Sequence, residues 1–211
     1  MKSFKVLNLF SIPVFESNIE VKKEWLDYLK NNVEYERMHS ENGNISKDRY
    51  LLKKIPDLKL QIDEQVNLFL RKFLYLRNNI EFYMTNSWSV EHSENDFAQG
   101  HIHSNSVLSG VYYLDVDDNS GLIEFQRDHR HINLFNGNLV FEYDNFNEVN
   151  SDYWGISPKN GMILLFPSHL MHNVKKNLSN KKRYSLAFNY FAKGHFGNEE
   201  GELSLWQLEK V

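Results

Sequence analysis

Residues 106–127, SVLSGVYYLDVDDNSGLIEFQR, decide the fold. Two short runs of apolar, aromatic and β-branched residues flank the turn-forming segment DDNSG, a pattern typical of antiparallel strands joined by a tight turn. Similar runs recur along the rest of the chain: IEFYMTNSWSV (80–90), NLVFEY (138–143), GMILLFP (161–167) and RYSLAFNYFA (183–192). No segment with helical periodicity separates them, so they predict an antiparallel double sheet.

The first 80 residues have helical periodicity instead. Apolar residues recur at helical spacing between about residues 18 and 33 and again between 57 and 77, where Asp57 after Pro56 is the predicted N-cap. We therefore predict a mainly β protein with N-terminal helices (α+β). A helical segment at 1–80 would brace a core at 81–195, and a tail at 196–211 would contain a short helix.

Composition narrows the functional class. The 211 residues carry a net charge of −4, which gives no reason to expect a nucleic-acid partner. The absence of cysteine excludes disulfides, thiolate metal sites and a cysteine nucleophile. No apolar run reaches the length of a membrane span, and the first 15 residues lack the features of a signal peptide, so we expect a cytoplasmic protein without a membrane partner. The sequence leaves a homodimer open.

Histidines suggest a metal site. His101 and His103 precede a predicted strand, and alternate side chains of an extended segment point the same way. His172 follows another predicted strand. Three neutral imidazoles can bind a divalent first-row metal and leave coordination positions open, which is the catalytic pattern. A second pair, His129 and His131, lies in a predicted exposed loop and is not expected to bind metal.

The order of these blocks resembles the Fe(II)/2-oxoglutarate-dependent oxygenase superfamily, and above all its small prolyl-hydroxylase-like group common in phage and marine bacterial genomes. The blocks are GHIHSNSVLSGVYYLDVDDNSGLIEF (100–125), SPKNGMILLFPSHLMHNV (157–174) and KKRYSLAFNYF (181–191). The resemblance covers about residues 85–193. It implies a double-stranded β-helix core of the jelly-roll, cupin-like kind.

The resemblance also implies residue roles. His101 matches the first metal ligand and His172 the distal one, while Arg183 matches the residue that pairs with the distal carboxylate of 2-oxoglutarate. Ser185 and Tyr113 match side chains that add hydroxyl groups to the same carboxylate. A guanidinium suits this task because it offers two parallel donors to a carboxylate.

One position departs from the family pattern. Most members have Asp or Glu where this chain has His103, so three histidines would form a site with one less negative charge. We predict His103 as the third ligand. The alternative is that a carboxylate elsewhere, such as Asp96, completes the set.

The implied activity is that of a dioxygenase with Fe(II) as its metal, 2-oxoglutarate as cosubstrate and O2 as oxidant. It would hydroxylate a C–H bond of a peptidyl or small-molecule substrate while 2-oxoglutarate becomes succinate. We expect the substrate contacts in the long loop at about 128–159, which carries His131, Tyr143, Tyr153 and Trp154. The alternatives are a cupin-like three-histidine metalloenzyme that does not use 2-oxoglutarate, and a non-catalytic binding module.

Overall fold

The computed structural model describes residues 5, 7–9, 11–38, 42–127, 141–197 and 201–205. The strands are β1 (Phe15–Asn18), β2 (Tyr35–Arg37), β3 (Asn44–Ser46), β4 (Ile80–His92), β5 (Ala98–His101), β6 (Leu108–Asp115), β7 (Ile123–Gln126), β8 (Tyr153–Ile156), β9 (Met162–Pro167), β10 (His172–Val174), β11 (Arg183–Phe196) and β12 (Leu203–Ser204). The α-helices are α1 (Lys23–Asn31) and α2 (Pro56–Asn67), with a 3-10 turn at Leu51–Lys54 and a π-helical turn at Leu68–Phe73.

These strands form two antiparallel sheets. The larger sheet has the order β1-β9-β6-β11-β4-β3-β2, with β12 added to β11, and the smaller one has the order β5-β10-β7-β8. Strands that are distant in sequence pair side by side, as β6 does with β9 and β11. The predicted double-stranded β-helix is confirmed.

Side chains of β6 alternate between two cores. Val111 and Tyr113 pack with Ile123 and Phe125 of the smaller sheet, so they form the core between the sheets. Tyr112 and the other residues of opposite parity pack with α1 and α2 on the outer face of the larger sheet. This period of two explains why the strand is buried from Leu108 to Leu114: both of its faces are covered.

The helices brace the larger sheet, in the position that an amphipathic helix requires. Asp57 is not the N-cap of α2, so that prediction was wrong. The cap is Ile55 without a side-chain bond, and Pro56 occupies the first turn, where its missing N–H costs nothing. Asp57 instead accepts hydrogen bonds from Lys22 Nζ at 2.8 Å and from Trp25 Nε1 at 3.0 Å, which ties α2 to the start of α1.

The five strand predictions at 80–90, 106–116, 121–127, 161–167 and 183–192 correspond to β4, β6, β7, β9 and β11. The run at 138–143 lies largely outside the described residues. The short helix predicted in the tail is wrong at Leu203–Ser204, which form β12, while residues 198–200 and 206–211 lie outside the described residues. The first 80 residues also contribute β1, β2 and β3 to the larger sheet; the division into segments at 80 and 195 stays a prediction.

Within the described residues, no helix has the length and apolarity of a membrane-spanning segment.

Helix α2 offers a direct test of the bracing contact. Ile62 is fully buried in the outer core, whereas Leu60 on the same helix is 60% exposed. Ile62→Ala should lower the free energy of unfolding by about 2–4 kcal/mol, because it removes buried methyl groups and leaves a cavity. Leu60→Ala should change it by less than about 0.5 kcal/mol. Urea denaturation measures both, and equal losses would contradict the packing described here.

Candidate metal centre and anion pocket

A cavity of about 650 Å³ lies on the inner face of the larger sheet, a volume typical of small-molecule sites. Its wall contains the alternate residues of β11, which are Arg183, Ser185, Ala187 and Asn189. The β2–β3 hairpin contributes one edge of the wall. The three predicted metal ligands and the three predicted 2-oxoglutarate residues all line this one cavity.

The three histidines meet at one point of the cavity. His101 ends β5 and His172 begins β10, and the two are direct partners across these antiparallel strands. His103 follows two residues after His101, and its backbone N–H is bonded to Ser168 O. One ring nitrogen from each histidine lies within 4.8 Å of the other two. Strand pairing therefore brings together histidines that are far apart in the sequence, as the sequence analysis predicted.

Each imidazole is held by its Nδ1 atom. Nδ1 of His101 lies 2.7 Å from Gln99 O, Nδ1 of His172 lies 2.9 Å from Leu170 O, and Nδ1 of His103 lies 2.6 Å from Asn189 Oδ1. Carbonyl and amide oxygens only accept hydrogen bonds, so each Nδ1 carries the proton and each Nε2 presents a lone pair. Metal-ligating histidines are usually oriented by this kind of bond. The three side chains therefore fit a divalent metal.

Burial keeps His103 and His172 uncharged. It lowers the pKa of His103, and burial together with the neighbouring His101 lowers the pKa of His172 to about 3. A histidine must be neutral to bind a metal, so little protonation of these two side chains competes with binding at neutral pH. Aromatic rings enclose the group: Phe166 lies 4.8 Å from His172 and Trp88 lies 5.7 Å from His103, both between ring centroids.

Asp96 does not join the histidines. Its carboxylate binds both terminal nitrogens of Arg37, at 2.7 and 3.1 Å, and accepts a third bond from Ser93 N–H. Among the described residues, the three histidines are the one group of His, Asp or Glu side chains with metal-binding spacing. Of the two alternatives left open by the sequence, the structure brings His103 to the cluster and keeps Asp96 in an ion pair.

Arg183 occupies another part of the cavity as a buried cation. It is 2% exposed, and its Nη1 donates to Ser120 O at 3.3 Å and to Gly121 O at 3.2 Å. Its guanidinium carbon lies 5.2 Å from the ring centroid of Tyr113. No carboxylate of the described residues compensates its charge. A buried guanidinium remains charged and is costly without an anion, so the site is suited to an anionic ligand.

Unsatisfied polar atoms concentrate at this end of the cavity. In the described residues, five buried side-chain atoms lack a hydrogen-bond partner: Gln65 Oε1, Tyr113 Oη, Arg183 Nε, and both ring nitrogens of His92. Four of the five belong to residues that line the cavity around Arg183. Folded proteins rarely leave buried polar groups unpaired, so this group indicates a ligand that brings several acceptor oxygens. Burial also raises the pKa of the Tyr113 hydroxyl, which stays protonated and can donate.

Sequence reasoning missed two residues of the site. Asn189, which orients His103, has the same parity as Arg183 and Ser185 on β11, so a period-two count from Arg183 could have found it. Its Oδ1 also accepts a bond from Ser109 Oγ at 2.8 Å. His92 is the direct cross-strand partner of Arg183, a relation that depends on the β4–β11 register and leaves no sequence signal.

The fold and the site together define a class of protein: a double-stranded β-helix in which three histidines that could hold a metal ion share a cavity with a buried arginine. The family model described as "Putative 2OG-Fe(II) oxygenase" matches residues 86–189, which contain the three histidines, Arg183, Tyr113 and Asn189. This segment of the chain belongs to the 2OG-Fe(II) oxygenase superfamily, and the protein is an enzyme that uses Fe(II) and 2-oxoglutarate.

Solved structures share this fold at low sequence identity. An oxidoreductase of the 2OG-Fe(II) oxygenase family from Burkholderia pseudomallei is 15% identical, with a TM-score of 0.56 over 79% of this chain and 76% of its own. A Pseudomonas putida prolyl-4-hydroxylase is 14% identical, with a TM-score of 0.52 over 87% and 94%. HygX from Streptomyces hygroscopicus, solved with nickel, 2-oxoglutarate and hygromycin B, is 12% identical, with a TM-score of 0.55 over 85% and 82%. A search of curated protein sequences finds no match.

Asn189 provides a test of the metal centre. Asn189→Ala removes the acceptor that fixes the His103 tautomer, and the loss of such a partner typically costs about 10–100-fold in metal affinity. Calorimetric titration of the metal-free protein with Mn(II) measures it. Asn67→Ala, in which an exposed amide of α2 is removed, should bind as the wild type does. Unchanged affinity in Asn189→Ala would show that His103 needs no such anchor.

Proposed function

We propose that this oxygenase hydroxylates a C–H bond of a peptidyl or small-molecule substrate. In this proposal His101, His103 and His172 hold Fe(II), while Arg183, Ser185 and Tyr113 hold the distal carboxylate of 2-oxoglutarate. The observation that carries the proposal is the pairing of two features in one cavity. Three histidine nitrogens converge at one place, and unpaired buried donors surround an uncompensated arginine at another.

The bound Fe(II) and 2-oxoglutarate would supply the oxidation with O2, and 2-oxoglutarate would leave as succinate and CO2. The chain's own contribution is geometric and electrostatic. The Nδ1 bonds set the direction of each imidazole, and the carbonyls of Ser120 and Gly121 hold Arg183 before any ligand arrives. Only glycine fits at position 121, because a Cβ there would lie 2.2 Å from Lys175 O.

The proposed substrate entrance is at the β2–β3 hairpin. Tyr153 and Trp154 of the predicted recognition loop line a separate hollow, and none of the described residues of 128–159 lines the metal cavity; His131 lies outside the described residues. The cavity is bordered instead by Arg37 and Arg49, which pair with carboxylates at 2.7 and 2.9 Å, and by Trp88. We propose that the substrate approaches the metal past these side chains.

The substrate class is supported only broadly. The Pseudomonas putida neighbour is a prolyl-4-hydroxylase, and HygX was solved with hygromycin B, so both peptidyl and small-molecule chemistry occur on this fold. No observation favours a cupin-like enzyme without 2-oxoglutarate or a non-catalytic module. The cytoplasmic location, the absence of a nucleic-acid or membrane partner and the homodimer stay predictions of the sequence.

The first experiment tests cofactor use directly. The protein is purified without chelator, its metal content is measured, and 2-oxoglutarate is titrated under nitrogen. We expect one metal and one 2-oxoglutarate per chain, followed by Fe(II)-dependent succinate release when O2 is admitted. If neither metal nor 2-oxoglutarate binds, the proposed function is wrong.

Substitution of Arg183 should affect 2-oxoglutarate binding and metal binding differently. Arg183→Ala should weaken 2-oxoglutarate binding by about 10–100-fold, because hydrogen bonds to charged groups contribute about 1.5–3 kcal/mol. Metal affinity should change by less than about threefold, since no histidine ligand bonds to Arg183. Arg183→Lys keeps the charge without the planar fork and should fall between the two.

The matched control is Lys182→Ala, which removes the neighbouring cation outside the cavity, where it pairs with Glu91. It should bind both ligands normally. Equal loss of metal and 2-oxoglutarate in Arg183→Ala would argue against the assignment of Arg183 to the carboxylate.

A further inference from the structure

His92 lies beside the proposed carboxylate anchor. It is the last residue of β4 and the direct cross-strand partner of Arg183, the first residue of β11. It is 2% exposed and lines the same cavity as Arg183 and Tyr113. Neither the sequence patterns nor the family resemblance assigned it a role.

The imidazole of His92 lacks the partners that a buried histidine normally has. Both of its ring nitrogens are buried without a hydrogen-bond partner among the described residues. A histidine that served only for packing would leave two polar atoms unsatisfied in the core, at a cost that a phenylalanine would avoid. The polar atoms therefore point to a ligand.

The surroundings of His92 hold its ring in place and keep it neutral. A Cβ on Gly43 would lie 2.5 Å from His92 Cδ2 and 2.7 Å from Nε2, so only glycine lets the β2–β3 hairpin pack against this ring. Burial, and secondarily the charge of Arg183, lower the pKa of His92 to about 3. A neutral imidazole has one N–H donor, which matches one carboxylate oxygen and adds no second charge.

We propose that His92 is a further donor to the distal carboxylate of the bound 2-oxoacid, alongside Arg183, Ser185 and Tyr113. This inference rests on the proposed use of 2-oxoglutarate. A carboxylate has about four lone-pair positions, which leaves room for one bond from each of these four side chains. His92 would thereby favour oxoacids that carry a second carboxylate over those that lack one.

Two oxoacids distinguish this role from general damage to the site. The full-length protein is loaded with Ni(II) and titrated calorimetrically under nitrogen with 2-oxoglutarate and with 2-oxobutyrate, which lacks the distal carboxylate. His92→Phe should bind 2-oxoglutarate about tenfold more weakly, as expected for a lost bond to a charged group. Its affinity for 2-oxobutyrate should stay within about twofold of the wild type, because the keto-acid end is untouched.

Further variants keep the test decisive. His92→Leu also removes the donor and replaces the phenylalanine variant if that one does not fold. His92→Gln retains an N–H group and should recover part of the lost affinity. His195→Phe is the matched control, since His195 lies half-exposed towards the other end of β11, where it pairs with Glu202 at 3.6 Å. It should bind both oxoacids as the wild type does.

The outcomes separate this inference from the proposed function. If wild-type protein binds neither oxoacid, or shows no preference for 2-oxoglutarate, the proposed function fails. If the wild type prefers 2-oxoglutarate and the donor-free variants keep that preference, His92 is not a carboxylate donor. Equal weakening of both oxoacids would likewise overturn the inference, because it would place His92 in general support of the fold.

Discussion

The alternation of side chains along β11 is the constraint on which the site depends. Arg183 and Asn189 are six residues apart, so they face the same cavity at a separation of about 20 Å along the strand. One anchors the proposed oxoacid, and the other orients His103 at the metal. Pairing with β4 and β6 then adds His92 and Tyr113 beside Arg183. A slip of one residue in β11 would turn both anchors away from the cavity.

Electrostatics explains why the histidine cluster and Arg183 lie in one cavity. Three imidazoles bring no negative charge to a divalent metal, and Arg183 adds a buried cation that no carboxylate of the described residues compensates. A doubly negative oxoacid that reaches both places would offset charge at each end. Asp96, the carboxylate that the sequence analysis named as an alternative ligand, is engaged by Arg37. If the sites bind as proposed, the oxoacid would therefore also help to retain the metal.

The sequence predicted the parts of this site that local patterns encode. His101 and His103 share a face by period two, and the ordered blocks around His172 and Arg183 carried the resemblance to the superfamily. Contacts that depend on register, such as His92 opposite Arg183, could not be predicted because the register between two strands cannot be derived from the sequence of either strand alone. Strands of three or four residues, such as β10 and β5, are too short for a periodic signal. The cap at α2 was mispredicted because Pro56 can begin a helix without one.

A crystal structure with Mn(II) and 2-oxoglutarate, grown under nitrogen, would test the central claim most directly. Anomalous scattering locates the metal without reference to the protein coordinates. The account predicts a single metal bound by the Nε2 atoms of His101, His103 and His172, with the distal carboxylate of 2-oxoglutarate against Arg183. A metal held elsewhere, or an oxoacid whose distal carboxylate points away from Arg183, would contradict it.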